Sequence, residues 1–317
     1  MTDPQEATDV LGAPYTARTL PLRPDDEGAV VATLVSRRAA RPTNRAVLHV
    51  HGFADYFFQT VAADWWVERG YDFYALDLRK YGRSWLPHQT PTYVADVTTY
   101  YEDLDAALAV VASEHDHVVM SAHSTGGLTV PLWLHDRRPE GVVGVALNSP
   151  WLEMNAGLLM RTLGTKVLDA VGARQPMRLI PRDVSGHYAR SLHRDHAGEW
   201  DFDLRWKPLE SFAVYAGWLR AVRRAHARVH RGLDVGAPVL VLSSTRSGTE
   251  AQLGDAATST DIVLDVEQIR HWAPSLGRHV TIAQVEGAMH DVTLSRQPAR
   301  DRVFDELGRW LDAYVDR

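Results

Sequence analysis

The sequence predicts an α/β protein with a mostly parallel central sheet flanked by helices. Short apolar runs alternate with longer amphipathic stretches along most of its 317 residues. An alternation of strand and helix patterns is typical of parallel sheets whose two faces are both covered by helices. A chain of this length also buries a sizeable core, either as one large domain or as two smaller ones.

The predicted elements follow one another in a regular order. Apolar runs predict strands at residues 46–50, 72–76, 117–120, 141–147, 238–242 and 279–285. Helical periodicity is present at residues 61–69, 100–113, 127–135 and 298–315, where Val303, Leu307, Leu311 and Val315 fall on one stripe. Two further strands, near residues 15–22 and 30–36, are close enough in sequence to form an antiparallel hairpin at the sheet edge.

Residues 151–233 interrupt this rhythm because they contain no clear strand pattern. They include helical patterns at 157–170 and 211–230 and many large apolar side chains: Trp151, Met154, Leu158, Leu159, Met160, Trp200, Phe202, Trp206, Phe212, Tyr215 and Trp218. We therefore expect a helical cap at 151–233, inserted between two parts of one core at 1–150 and 234–317. The Gly/Ser/Thr-rich residues 243–260 are predicted to be a long loop.

Composition excludes several classes of protein. Acidic residues outnumber basic ones by 40 to 34, which argues against a nucleic-acid partner. The absence of cysteine excludes disulfides, thiol catalysis and cysteine metal sites. We find neither a signal-peptide pattern nor an apolar run long enough to span a membrane, so we expect a cytoplasmic location. The oligomeric state is left open.

The strongest chemical signal lies where the predicted strand at 117–120 ends. The residues Ala122-His123-Ser124-Thr125-Gly126 follow this strand and precede a helix. A serine on such a sharp strand-to-helix turn has a strained backbone and presents its hydroxyl at the carboxyl edge of the sheet. The positions two before and two after it must be small, and here they are Ala122 and Gly126. The alternative interpretation is an ordinary turn that happens to contain a serine.

Three segments together resemble the α/β-hydrolase family, most closely its monoacylglycerol lipase and lysophospholipase-like branch. They are the serine turn, the strand that ends in His51-Gly52-Phe53, and the segment Asp77-Leu78-Arg79-Lys80-Tyr81-Gly82-Arg83-Ser84. The resemblance extends over almost the whole chain and implies the α/β-hydrolase fold with a helical cap. Ala122 departs from the usual Gly-x-Ser-x-Gly pattern, but alanine is also small.

The resemblance also implies roles for particular residues. The nucleophile is Ser124, and the base is His290, which follows the last predicted strand and completes the chain order Ser, acid, His. The oxyanion hole consists of the backbone N–H groups of Phe53 and Thr125. No metal and no cofactor is needed for this chemistry.

The acid is harder to assign because the usual position after the strand at 238–242 has no carboxylate. A longer loop follows, and the family's acid segment resembles Thr260-Asp261-Ile262-Val263, displaced by an insertion. We therefore predict Asp261 as the acid. Asp265 is the second choice, although its position suits a helix N-cap, and Asp255 is the third.

Other polar residues receive structural interpretations. His123 is expected to support the turn by packing or hydrogen bonding, and His49 and His51 to brace the oxyanion loop. Asp77 and Arg79 are expected to form a structural ion pair. His193 and His196 have a spacing that metal sites on helices use, but no third histidine completes the pattern. Asp55 and Tyr56 either line the pocket or hold the loop.

The predicted function is hydrolysis of carboxylic esters with an apolar acyl group, such as a monoacylglycerol or a lysophospholipid. The expected partner is a small-molecule ester, with transient lipid contact but neither nucleic acid nor a membrane span. Peptidase, thioesterase, carbon–carbon hydrolase and acyltransferase chemistry on the same residues are alternatives. A non-catalytic binding protein with the hydrolase fold is a further one.

Overall fold

The computed structural model describes residues 6–155, 165–182, 185–249 and 254–316, which include a nine-stranded sheet. In chain order the strands are β1 (Ala7–Thr8), β2 (Thr16–Asp25), β3 (Gly28–Arg37), β4 (Arg45–Val50), β5 (Asp72–Asp77), β6 (His117–His123), β7 (Val142–Asn148), β8 (Val239–Ser244) and β9 (Val280–Val285). Across the sheet their order is β1-β2-β3-β5-β4-β6-β7-β8-β9. The first three strands and the β3–β5 pair are antiparallel, and all later pairs are parallel.

The helices lie between and after the parallel strands. They are α1 (Thr60–Glu68), α2 (Tyr101–Ala112), α3 (Gly126–Arg137), α4 (Thr165–Arg174), α5 (His187–Leu192), α6 (Ala216–Val229), α7 (Val266–Trp272) and α8 (Gln297–Tyr314). Within the described ranges, no helix combines the length and the apolar character that crossing a membrane requires.

The two faces of the sheet bury different residues because side chains alternate along a strand. On β4, Leu48 belongs to one apolar cluster together with side chains of α2, α3 and α6. Val47, its neighbour, belongs to a second cluster with side chains of α1 and α8. Both clusters are almost fully buried, which explains why the central strands read as continuous apolar runs.

The predicted fold is confirmed, including the parallel sheet and the antiparallel hairpin of β2 and β3. The hairpin is not the outermost element, because β1 pairs with β2 beyond it. In residues 151–233 the described part contains α4, α5 and α6, and its β-pairing there is limited to isolated bridges. Leu158, Leu159, Met160 and the first half of the helix expected at 157–170 lie outside the described residues.

Candidate active site

Ser124 stands on a tight turn between β6 and α3. Its φ is 51°, a conformation that a residue with a side chain adopts only under constraint. Two backbone hydrogen bonds provide that constraint: the Ser124 amide donates to Asn148 O, and the Trp151 amide donates to Ser124 O, both at 3.0 Å. A Cβ on Gly126 would lie 2.5 Å from His51 O, so only glycine allows α3 to start this close to β4.

His290 reaches Ser124 from the loop after β9. Its Nε2 lies 3.1 Å from Ser124 Oγ, and the imidazole is almost completely buried. Gly287, at a φ of 77°, forms the turn that precedes it. Ser295 steadies the loop, since its Oγ accepts a hydrogen bond of 2.9 Å from the Met289 amide. This geometry allows the serine hydroxyl to donate to the imidazole, which is the arrangement that activates a serine nucleophile.

Asp261 lies on the other side of His290. Its Oδ2 is 2.9 Å from His290 Nδ1, while its Oδ1 accepts hydrogen bonds from the amides of Val263 and Leu264. The long loop after β8 doubles back to bring the carboxylate here, with the Gly248 amide donating to Asp261 O at 2.8 Å. With both oxygens engaged, the carboxylate fixes the imidazole with Nδ1 as donor and Nε2 as acceptor.

The two other acid candidates lie outside this arrangement. Asp265 caps α7, its side chain accepting from the Glu267 amide, as its sequence position suggested. Asp255 is exposed, and its backbone carbonyl accepts from the Thr258 amide and from the hydroxyls of Thr258 and Ser259.

The amides of Phe53 and Thr125 lie on the two segments that meet beside Ser124. Gly52 is packed so tightly there that an added Cβ would be 3.0 Å from Ser124 Cβ. Among the described residues, neither amide donates a hydrogen bond to a protein acceptor. Thr125 is also the residue from which α3 starts, so the positive end of the helix dipole points toward the same place. Two unengaged donors beside a serine can bind developing negative charge on an oxygen atom.

A second layer of polar side chains lies behind His290. The ring of His123 packs against that of His290 at 4.9 Å between centroids, and its Nδ1 lies 3.3 Å from Asp55 Oδ2. Asp291 accepts from Asn148 Nδ2 at 2.7 Å and from Gln59 Nε2 at 3.2 Å. Burial opposes protonation of His123, but the nearby carboxylates of Asp291 and Asp55 outweigh it and raise its pKa.

His51 holds the segment that carries the Phe53 amide. Its Nδ1 donates to Gly52 O at 2.8 Å and its Nε2 accepts from the Leu78 amide at 3.0 Å, which satisfies the neutral imidazole completely. Burial lowers the pKa of His51 accordingly. His49 plays a different part, because it lies within β4 and pairs with Ser121 Oγ at 3.1 Å.

The buried His49 predicts a pH dependence of stability. Burial lowers its pKa to about 4, from 6.5 in an exposed histidine. Because the folded-state pKa is the lower one, the stabilising contribution is complete above about pH 6.5 and is lost as the pH falls toward 4. Between pH 7 and pH 5 we expect His49 to account for a loss of about 2 kcal/mol in the free energy of unfolding.

Urea titrations of the wild-type protein and of His49→Gln at these two pH values measure this contribution. Groups far from His49 titrate equally in both proteins, so the difference between the two losses reports His49 together with the charged neighbours it interacts with, Asp291, His123 and Asp55. Equal losses in the two proteins would contradict the assignment of a neutral, buried imidazole.

The expected ion pair between Asp77 and Arg79 is wrong. Arg79 binds Asp103 and Glu102, both at 2.7 Å, whereas Asp77 binds Arg83 at 2.9 Å and accepts from the Phe57 amide. The chain leaves the sheet after Asp77, so the two-residue spacing no longer places the side chains together. Both residues remain structural, as the sequence indicated.

The remaining polar candidates also have structural partners. His193 and His196 are ring neighbours, and the residues that the structure describes contain no group of three or more His, Asp or Glu side chains that could hold a metal ion. Tyr56 holds the segment around Asp203, since its hydroxyl accepts from the Asp203 amide at 2.7 Å. Asp55 is held by Lys207 and His123 rather than facing open space.

Sequence reasoning missed two residues that organise this region. Asn148 ties the serine turn to the histidine loop, because its carbonyl accepts from Ser124 and its amide group contacts Asp291. A polar residue at the carboxyl end of a buried strand was the available signal. Lys207 is 152 residues from Asp55, and no local pattern connects the two.

Comparisons with known proteins agree with this fold. The sequence model of the family described as serine aminopeptidase, S33 (Hydrolase_4), matches residues 41–297, well over half of the chain. No curated protein sequence gives a significant match.

Several solved structures share the architecture. A soluble variant of the monoglyceride lipase from Saccharomyces cerevisiae, in complex with a substrate analog, has a TM-score of 0.67 at 14% identity, with 99% of this chain and 96% of that one covered. The monoacylglycerol lipase of Paleococcus ferrophilus has a TM-score of 0.66 at 19% identity (89% and 99% covered). A thermophilic esterase from Thermogutta terrifontis has a TM-score of 0.58 at 14% identity, with 94% of this chain and 99% of that one covered. At such identities the similarity concerns the fold.

Proposed function

Since this chain belongs to the hydrolase family described as serine aminopeptidase, S33, we propose that it cleaves carboxylic esters with an apolar acyl group through an acyl-enzyme. The observation that carries the proposal is the continuous hydrogen-bonded series from Ser124 through His290 to Asp261. All three side chains are buried, so water does not compete for these hydrogen bonds.

The mechanism follows from the donors and acceptors of this series. Ser124 Oγ attacks the ester carbonyl carbon while His290 Nε2 takes the hydroxyl proton. Negative charge that develops on the carbonyl oxygen is stabilised by the Phe53 and Thr125 amides. His290 then gives its proton to the leaving alcohol, and a water molecule activated by the same imidazole releases the carboxylic acid. Asp261 stabilises the imidazolium form in both halves.

The region around the nucleophile favours apolar substrates. Phe53 packs on Trp218 with 4.3 Å between ring centroids, and Trp151, whose amide binds Ser124 O, lies 5.9 Å from the same indole. Residues 151–233 supply both indoles and are proposed as a cap on the core formed by 1–150 and 234–317. Several other cap aromatics instead fasten it to the core, such as Phe202 against Phe58 and Trp206 against Tyr56.

Aminopeptidase chemistry is the alternative that the family description raises. Such an enzyme needs an uncommitted carboxylate near the nucleophile to bind the substrate's ammonium group. Among the described residues, Asp55, Asp261 and Asp291 lie close to Ser124 and His290, and each is already paired with protein donors. Because these carboxylates are already paired, an ester is favoured as the substrate over a peptide with a free amino terminus.

Kinetics with p-nitrophenyl esters of increasing acyl length test the proposal. Each methylene that becomes buried contributes roughly 0.8 kcal/mol, so kcat/KM is expected to rise about fourfold per methylene until the pocket is filled. Aminoacyl p-nitroanilides serve as the comparison. Faster cleavage of the anilides than of any ester would contradict the proposal and favour a peptidase.

A further inference from the structure

Lys207 is a buried cation that connects the proposed cap to the segment carrying the Phe53 amide. Its side chain is only 6% exposed, and its Nζ lies 2.9 Å from Oδ1 of Asp55, which is 1% exposed. The rings of Phe58, Tyr188 and Phe202 surround the ammonium group at 5.5 to 5.8 Å from their centroids. Burial would raise the pKa of Asp55, but Lys207 and His123 hold it well below its usual range.

Asp55 joins three parts of the site. Its other oxygen, Oδ2, lies 3.3 Å from Nδ1 of His123, the residue that immediately precedes Ser124 in the sequence. Asp55 itself follows Phe53 by two residues. Lys207, Asp55 and His123 therefore link the segment 151–233, the oxyanion segment and the serine turn.

The oxyanion segment needs an external support. Ala54, between Phe53 and Asp55, has a φ of 48°, a conformation unfavourable for alanine. Strained residues of this kind persist only where the surrounding structure holds them in place. The Asp55 side chain anchors the segment on the far side of this strained residue. An ion pair buried this deeply is often no more stabilising than apolar residues of the same shape, so stability alone explains its presence poorly.

We infer that Lys207 is a positioning residue which, through Asp55, aligns the Phe53 amide and His123 with Ser124 and so makes turnover depend on the docked cap segment. The inference rests on the proposed function for its kinetic consequence. The inference also has a structural consequence that does not depend on any substrate. Lys207, 152 positions away from Asp55 in the sequence, restrains residues 53–58.

The kinetic test compares Lys207→Met with Lys80→Met. Lys80 is a matched control, because it is equally buried and paired with Asp25 and Glu27 of the β2–β3 hairpin. Misalignment of a catalytic donor by a distant change can reduce turnover by about 100-fold. We expect kcat of Lys207→Met to fall 10- to 100-fold, on that scale, with KM nearly unchanged, and Lys80→Met to keep the wild-type kcat per folded molecule.

A double variant covers the case in which Lys207→Met does not fold. Lys207→Met/Asp55→Asn leaves no unpaired buried charge and is therefore expected to fold. Because Lys207 acts through Asp55, the kcat of the double variant should be no lower than that of the more impaired single variant that folds. A wild-type kcat in Lys207→Met or in the double variant, or losses that simply add, would overturn the inference.

Hydrogen exchange of the backbone amides separates this inference from the proposed function. Exchange in residues 53–58 should become faster in Lys207→Met, or in the double variant, and stay unchanged in Lys80→Met. Unchanged exchange in these residues would overturn the inference even if the protein is an active esterase. Faster exchange in a protein that cleaves no ester would support the restraint and reject the proposed function.

Discussion

Replacing Ser124 by alanine is expected to reduce the turnover of p-nitrophenyl esters by about a million-fold, the loss found when the nucleophile of a comparable triad is removed. The hydroxyl is the only part of the side chain that takes part in the proposed reaction. Alanine keeps the small volume, and the backbone bonds to Asn148 and Trp151 do not involve the side chain. Steady-state kinetics on purified protein, together with a thermal unfolding curve, measure both effects.

Ser149→Ala provides a closely matched control. Ser149 is also buried and also has a positive φ, 43°, but its hydroxyl has no hydrogen-bond partner among the described residues. This variant is expected to keep full activity. If Ser124→Ala is as active as Ser149→Ala while both remain folded, the nucleophile has been assigned wrongly.

Replacing Asp261 by asparagine is expected to lower kcat by about 10⁴-fold with little effect on folding. The amide oxygen can still accept from Val263 and Leu264, as Oδ1 does in the native protein. The amide nitrogen, however, then faces His290 Nδ1 and donates to it. The imidazole proton is thereby moved to Nε2, which can no longer accept the proton of Ser124. Steady-state kinetics with the same p-nitrophenyl esters measure this loss, and kcat of the variant and of the wild-type protein is recorded as a function of pH.

Asp265→Asn is the matched control for this substitution. Asparagine caps a helix as well as aspartate does, so both the stability and the activity should stay at wild-type levels. An inactive Asp265→Asn beside an active Asp261→Asn would transfer the role of the acid to Asp265 and leave the roles proposed for Ser124 and His290 intact.

Much of the fold was predictable from local patterns in the sequence. The central strands are buried on both faces and are therefore continuous apolar runs, and the helices between them keep one apolar face. Ser124 was recognisable because a strained turn needs small neighbouring residues. The structure shows the reason at Gly126, which lies so close to the end of β4 that a side chain would not fit. The predicted boundaries of these strands lie within three residues of those in the structure, and the differences arise because strand ends carry the weakest signal.

Contacts between distant segments were not predictable in this way. The carboxylate of Asp261 returns to His290 through a loop whose path depends on backbone bonds such as Gly248 to Asp261. The partner of Asp55 lies on another segment altogether, and the expected Asp77–Arg79 pair failed because side-chain directions change once a strand ends. Charge and spacing indicate which residues need partners, but the tertiary fold decides which partners they find.

Covalent labelling with a fluorophosphonate tests the central claim most directly, because an activated serine reacts with such a probe and an ordinary one does not. The account predicts one adduct per chain, located on Ser124 by peptide mass spectrometry, and a large loss of labelling in His290→Ala. Absence of an adduct from the folded wild-type protein, or an adduct at another residue, would contradict it.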